Sequence, residues 1–255
     1  MFGASILNKA TLKTETAQFG HMAIVHVYYT GLPKPNAWTT GKTAANHSAV
    51  IVSFNALPKT ILSGADNGAL RHFFDTAPRG HLIYYSYGQE PERQVHLGRF
   101  TAAAYKKAWA RVAALARAAH NPYLHSTLLL EAFDLTKAAH RNWRTFLPAG
   151  RIISTLGWDA YPVGSALNHD PQLTPPKVFM GPAIAASKRA GLPYGFAEFG
   201  LSTPKGRPAW LRTVGSYLLH SGARFGVLFD GNAQRPFLKL TDRASIRVWR
   251  SFVSR

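Results

Sequence analysis

The sequence predicts an α/β protein folded as one (β/α)8 barrel over residues 1–255, and three observations point there. The length of 255 residues matches that architecture and suffices to bury one large core. Eight short apolar runs alternate with segments of helical spacing. Only 12 residues are acidic, yet Glu90, Glu92, Glu131, Asp134, Asp159, Glu198 and Asp230 all fall at or just after the ends of predicted strands. Carboxylates placed for solubility would scatter over helix surfaces, whereas the C-terminal strand ends of a barrel form the rim where chemistry is done. A long doubly wound sheet gives a similar alternation and is the competing architecture.

The first strand is predicted over 2–7, a short buried run, and a brief helix over 11–19 precedes Gly20. The second strand spans 21–29, with Ala23-Ile24-Val25 as its apolar centre. Residues 30–46 are too polar and too broken by proline and glycine for core, which leaves Trp38 either packed on the barrel rim or free to meet a ligand. The third strand, 50–54, is followed by a helical stretch within 61–75 whose inward face is Leu70, Phe73 and Phe74. The fourth, 82–87, runs directly into Gln89 and Glu90. Residues 100–119 form the clearest helix, alanine-rich, capped by Thr101, with Tyr105, Trp109, Val112 and Leu115 at spacings of three and four. The fifth strand is 125–130, residues 136–149 are a long excursion, and the sixth strand, 152–156, ends before Gly157-Trp158-Asp159-Ala160-Tyr161. A crossover over 175–190, helical in its second half, leads to the seventh strand at 194–197. A helix over 205–221, an eighth strand at 225–229 and a closing segment over 237–252 complete the alternation.

The 46% hydrophobic and 12% aromatic content argues for a folded globular chain. The absence of cysteine excludes disulfides, thiol nucleophiles and Cys-ligated zinc. The net charge of +18 favours anionic partners, but the basic residues are dispersed, with no run longer than Lys106-Lys107 and no nucleic-acid-reading motif. Electrostatic association with anionic envelope polymers is therefore expected, and sequence-specific nucleic-acid binding is not. No uninterrupted apolar stretch is long enough to cross a bilayer, and no signal peptide is visible at the start. The 11 histidines show no metal-ligand spacing, and no P-loop, dinucleotide fingerprint or Gly-x-Ser-x-Gly occurs, so neither a catalytic metal nor a nucleotide cofactor is expected.

What remains are carboxylates. Glycosidic cleavage needs one carboxylic acid to protonate the leaving oxygen and one carboxylate to attack the anomeric carbon or activate water. Burial and mutual repulsion on a crowded rim can hold one protonated and the other ionised. Glu90 and Glu198, on the fourth and seventh strands, are the expected catalytic pair. Gln89, Tyr87 and Trp158 beside them supply the amide and aromatic surfaces that sugar sites use. Asp159 and Asp230 are candidates to hold sugar hydroxyls or support the pair, and Tyr161 to stack on a pyranose or hold Glu198 by its hydroxyl. Glu92 is expected to pair with Arg93 or Arg99 on the surface.

Gln89-Glu90-Pro91-Glu92, Gly157-Trp158-Asp159-Ala160-Tyr161 and Ala197-Glu198-Phe199-Gly200, in that order, resemble motifs of glycoside hydrolase family 26, the retaining family that includes β-mannanases. Its smaller actinobacterial and phage-associated members are the most similar, and Phe2-Gly3-Ala4-Ser5 looks like the family's first strand. The resemblance implies Glu90 as general acid/base, Glu198 as nucleophile, Trp158 and Tyr161 bordering the sugar subsite, and Arg141 and Trp143 on the approach to it. It also implies a polysaccharide substrate, with mannan as the default, and action outside the cell or in its envelope. The chain departs from the family at Gln89, where a histidine is usual; glutamine donates and accepts hydrogen bonds but carries no proton. A glycan-binding protein without catalysis, on the same scaffold, is the alternative.

Overall fold

The computed structural model describes residues 1–39, 49–162, 173–231 and 238–255. Its eight strands form one closed parallel barrel in sequence order: β1 (Phe2–Ile6), β2 (Ile24–Tyr29), β3 (Ala49–Phe54), β4 (Ile83–Tyr87), β5 (Leu124–Glu131), β6 (Thr155–Asp159), β7 (Tyr194–Phe199) and β8 (Gly226–Leu228), which pairs back to β1. The predicted (β/α)8 barrel is thus the architecture, and the doubly wound alternative falls because no strand is left at an edge. Around it lie α1 (Lys9–Phe19), α2 (Pro58–Ser63), α3 (Asn67–Asp75), α4 (Pro91–His96), α5 (Ala102–Ala118), α6 (Pro176–Phe179), α7 (Gly181–Ala190), α8 (Arg207–Ser221) and α9 (Arg243–Val253). None of the described helices is long and apolar enough to cross a membrane.

The two-residue period of the strands divides the core into two. Ile24, Ile51, Tyr84, Leu129, Ala197, Phe225 and Val227 pack inside the barrel, while their alternates join the larger layer between sheet and helices. Followed toward the rim, the inward positions turn polar: Ile24 gives way to His26 and Tyr28, Ile51 to Ser53, and Tyr84 to Ser86. The interior also demands small residues opposite large ones. A Cβ on Gly157 would lie 1.9 Å from a Leu129 methyl, and one on Gly3 1.6 Å from the Ile24 carbonyl oxygen.

Local chemistry sets the helix ends. Asn8, Thr101 and Asp242 each accept a bond from the third residue onward, capping α1, α5 and α9. Asp242 also takes the buried Arg207 guanidinium at 2.5 Å, tying α8 to α9.

Three boundaries differ from the sequence reading. The stretch 61–75 is two helices, broken where Gly64 adopts left-handed backbone with φ 85°. The excursion 136–149 contains short 3₁₀ turns at Lys137–Ala139 and Trp143–Phe146. The sixth strand lies three residues later than predicted, so Gly157, Trp158 and Asp159 belong to the sheet. Residues 40–46 of the predicted loop lie outside the described residues.

Candidate active site

The loop after β4 aims the first two candidates. Gly88, at φ 61°, takes the turn; a Cβ there would sit 2.7 Å from the Tyr105 ring. The Tyr105 hydroxyl reaches the Tyr87 and Gly88 carbonyls at 3.1 and 3.0 Å, and is itself held by the Trp109 indole N–H at 2.9 Å. Helix α5 thus braces the loop. Glu90 follows with φ 49°, a left-handed conformation costly for a residue with a side chain, and its N–H bonds the Leu129 carbonyl at 3.2 Å. Pro91 then starts α4.

On the far side, β7 slips register between Phe196 and Phe199. Both phenylalanines pack in the outer layer, three residues apart, so the slip turns Ala197 and Glu198 toward the barrel axis. Asp159, from β6, is brought opposite Glu198 by a register shift between Trp158 and Asp159. One carboxyl oxygen from each of Glu90, Asp159 and Glu198 lies within 4.8 Å of the others.

Donors hold this cluster together. The Gln89 amide donates to Glu198 Oε1 at 2.8 Å and to Asp159 Oδ2 at 3.0 Å. The Tyr161 hydroxyl donates to Glu198 Oε2 at 2.9 Å, and the Tyr28 hydroxyl lies close enough to favour the charged form of Glu198. The three oxygens are spaced closely enough for a hard cation. The Gln89 N–H₂ group already faces two of the three carboxyls, however, so the donor set suits proton sharing better than a metal.

Electrostatics separates the three acids. Burial, then the charges of Glu198 and Glu131, pushes Glu90 up to about 8. Burial and the charges of Glu198 and Glu90 drive Asp159 well above the usual carboxylate range. Burial raises Glu198 too, but Gln89, Tyr161 and Tyr28 pull the other way. Glu198 is therefore the acid best equipped to be ionised, and Glu90 and Asp159 hold protons. Beneath them, burial lowers His26 to about 3, so the ring is neutral. Its Nδ1 donates to the Ala197 carbonyl at 3.2 Å and its Nε2 accepts from the Ser53 hydroxyl at 2.7 Å, fixing the strand that carries Glu198.

Of the residues expected at a sugar site, Gln89, Glu90, Asp159, Tyr161 and Glu198 come together. The others do not. Trp158 is fully buried on the outward face of β6, its indole N–H on Ser187 of α7 at 2.9 Å. Strand position explains this: the residue between inward Gly157 and Asp159 must point out. Trp143 packs edge-on against it at 5.7 Å. Tyr87 is likewise outward and buried, bonded to the Ala56 carbonyl at 3.0 Å. Trp38 stacks on Phe73 of α3 at 4.8 Å and donates to its carbonyl at 2.7 Å, the packing alternative. Arg141 is paired with Asp134 at 3.1 Å and Glu131 at 3.6 Å. Asp230 is buried among Gln18, the Leu240 N–H and Glu15, which shares its carboxyl environment. Glu92 is no surface partner of arginine; it is buried and accepts the Glu131 N–H at 2.9 Å, because Pro91 turns it under the rim.

Trp158→Ala should accordingly act on folding. Deleting a fully buried indole is expected to cost about 3 to 5 kcal/mol in denaturant unfolding, with KM on any turned-over glycan unchanged for the folded protein. A KM shift without a stability loss would return Trp158 to the cleft.

Tyr28 and His26 were missed by the sequence reading. Their signal was two polar rings at alternate positions of an otherwise apolar strand, which places both on the inward face.

No family model matches the chain. No curated protein sequence matches it significantly either. Solved structures do resemble it in fold. The catalytic domain of a GH26 endo-β-1,4-mannanase from Bacillus sp. JAMB-750 superposes with TM-score 0.64 at 11% identity, covering 100% of this chain and 85% of that one. An endo-1,4-β-mannanase from Rhizomucor miehei gives 0.65 at 10%, covering 99% and 93%. A glucosidase from Croceicoccus marinus gives 0.68 at 12%, covering 99% and 65%. At such identities the likeness shows the fold: this chain is a (β/α)8 barrel of the shape those glycosidases use.

Proposed function

We propose that the protein is a retaining, endo-acting glycoside hydrolase of β-linked polysaccharide, related to family 26, with its smaller actinobacterial and phage-associated members as the nearest kin. The observation that carries this is the pairing of Glu90 and Glu198 across the rim. One oxygen of each lies within 4.8 Å of one on the other, a proximity that supports the roughly 5 to 5.5 Å carboxyl separation of retaining pairs. The likeness in fold to mannanases adds support; the substrate in this proposal is a mannan-like or cell-envelope glycan, met outside the cell or in its envelope.

In this reading Glu198 attacks the anomeric carbon as the glycosidic bond breaks, and Glu90 gives its proton to the departing oxygen. Glu90 then takes a proton from water, whose oxygen displaces Glu198 from the sugar. Gln89 and Tyr161 orient the nucleophile. A stacking surface for the chain is supplied by Phe133, just past β5 and 50% exposed, the aromatic among the large apolar side chains left exposed in the described residues.

A screen of β-mannans, β-xylans, β-glucans and envelope polysaccharides, with the product anomer followed by NMR before mutarotation, tests the proposal. A first product of retained configuration is expected. An inverted product would reject Glu198 as nucleophile. Saturable binding with no turnover on any glycan would favour the glycan-binding alternative, which the Gln89 departure keeps in view.

A further inference from the structure

On the outer wall, α8 and α9 enclose a groove of about 570 Å³. Its floor is apolar, from Pro208, Val248 and Phe252, and its walls carry Arg212, Arg247 and Arg255 with no acidic residue among the lining. All three arginines are exposed. Among the described residues the ion pairs involve Arg141 and Arg207 alone, so these three guanidiniums have no carboxylate within 4.0 Å. Arg255 is also oriented: its guanidinium lies 5.0 Å from the Phe252 ring centre and its Nε donates to the Ser251 carbonyl at 3.2 Å. Three exposed guanidiniums thus line one recess with no ion-pair partner among the described residues, an arrangement that an anion can neutralise.

We propose that this groove binds an anionic polysaccharide, an extended chain bearing phosphate or carboxylate groups. Arg247 on α9 and Arg255, two residues past its end, are separated by about 12 Å at helical rise, so successive charges on one extended chain can engage them in turn. The recess discriminates among polyanions. A nucleic-acid duplex is read by elements that protrude into its grooves, and a bilayer surface is flat. A single strand needs exposed rings for its bases, and Phe252 is only 3% exposed. Both helices begin at the rim, since each follows a strand that ends there, so a chain lying in the groove leads from the wall toward Glu90 and Glu198. The choice of a polysaccharide rests on the functional reading above; the anion-binding groove does not.

The test compares two triple variants of equal net charge: Arg212→Ser/Arg247→Ser/Arg255→Ser, and a control at exposed Lys59, Arg71 and Arg189. Equilibrium binding is measured, without need of turnover, to poly(glycerol phosphate), polygalacturonate, neutral mannan, duplex DNA and phosphatidylserine vesicles. The groove triple is expected to weaken binding to one or both anionic polymers about tenfold. Its plot of log affinity against log salt should flatten by about three units, one per lost contact. The control should change less than twofold, both variants should melt as the parent does, and the responding polymer identifies phosphate or carboxylate as the group held. Equal losses in both variants would overturn the proposal by reducing it to net charge. A larger groove-dependent loss on DNA or vesicles would overturn the polysaccharide assignment. Unchanged cleavage of a neutral glycan by the groove triple separates this site from the catalytic one, so either reading can fail alone.

Discussion

Glu198→Ala is expected to lower kcat by roughly 10⁴ to 10⁶-fold while leaving the barrel folded and its melting temperature no lower than the parent's. The activity loss follows from removing the atom that would bond the anomeric carbon, for which neither Asp159 nor Glu90 can substitute, being protonated and differently placed. The retained stability follows from burial. Glu198 is 8% exposed, faces two other carboxyls and has hydrogen-bond donors but no cation in hydrogen-bond contact. Its removal takes a desolvated charge out of the interior even as it strips Gln89 and Tyr161 of an acceptor. Single-turnover kinetics beside calorimetry reads both halves, and residual turnover above about 1% would move the nucleophile elsewhere.

Glu90→Ala should behave differently with different substrates. On a polysaccharide, whose leaving oxygen needs a proton, the loss is expected to be about 10² to 10⁴-fold. An aryl glycoside with an acidic phenol should keep its first step, with glycosyl-enzyme accumulating because the second step lacks its base. The pH profile carries the same information. A carboxyl raised to about 8 is protonated below that pH and loses its proton above it, so the parent's kcat/KM should fall as pH rises through about 8. It should also fall at low pH, as Glu198 becomes protonated. In Glu90→Ala the alkaline limb should vanish with the aryl substrate; its persistence would assign that limb to another group.

The barrel was legible because its signal is repeated: eight apolar runs must each be short and each be followed by a break. The candidate pair, Glu90 and Glu198, was legible because acids are scarce and their positions relative to strand ends stood out. The aromatic surface was not. Trp158 beside Asp159 reads as a cleft residue only if both lie past the strand, and moving the strand end by three residues turns the indole outward. Tyr28 lies some 170 residues from Glu198 in sequence, and only the closed barrel sets β2 across from β7. The polar partners of Asp230 were equally hidden, since Gln18 and Leu240 come from opposite ends of the chain.

The left-handed backbone at Glu90 has a consequence for how this chain persists. Glycine at that position would shed about 1 kcal/mol of backbone strain, and neutral residues at 90, 159 or 198 would thin the crowding of three carboxyls. The glycine replacement is expected to raise the melting temperature, and stabilising substitutions are easy to acquire. A scaffold that only gripped sugars would lose nothing by accepting them and would drift toward a quieter rim. Three crowded acids, one of them a strained glutamate, are what the hydrolase proposed above would require of this rim.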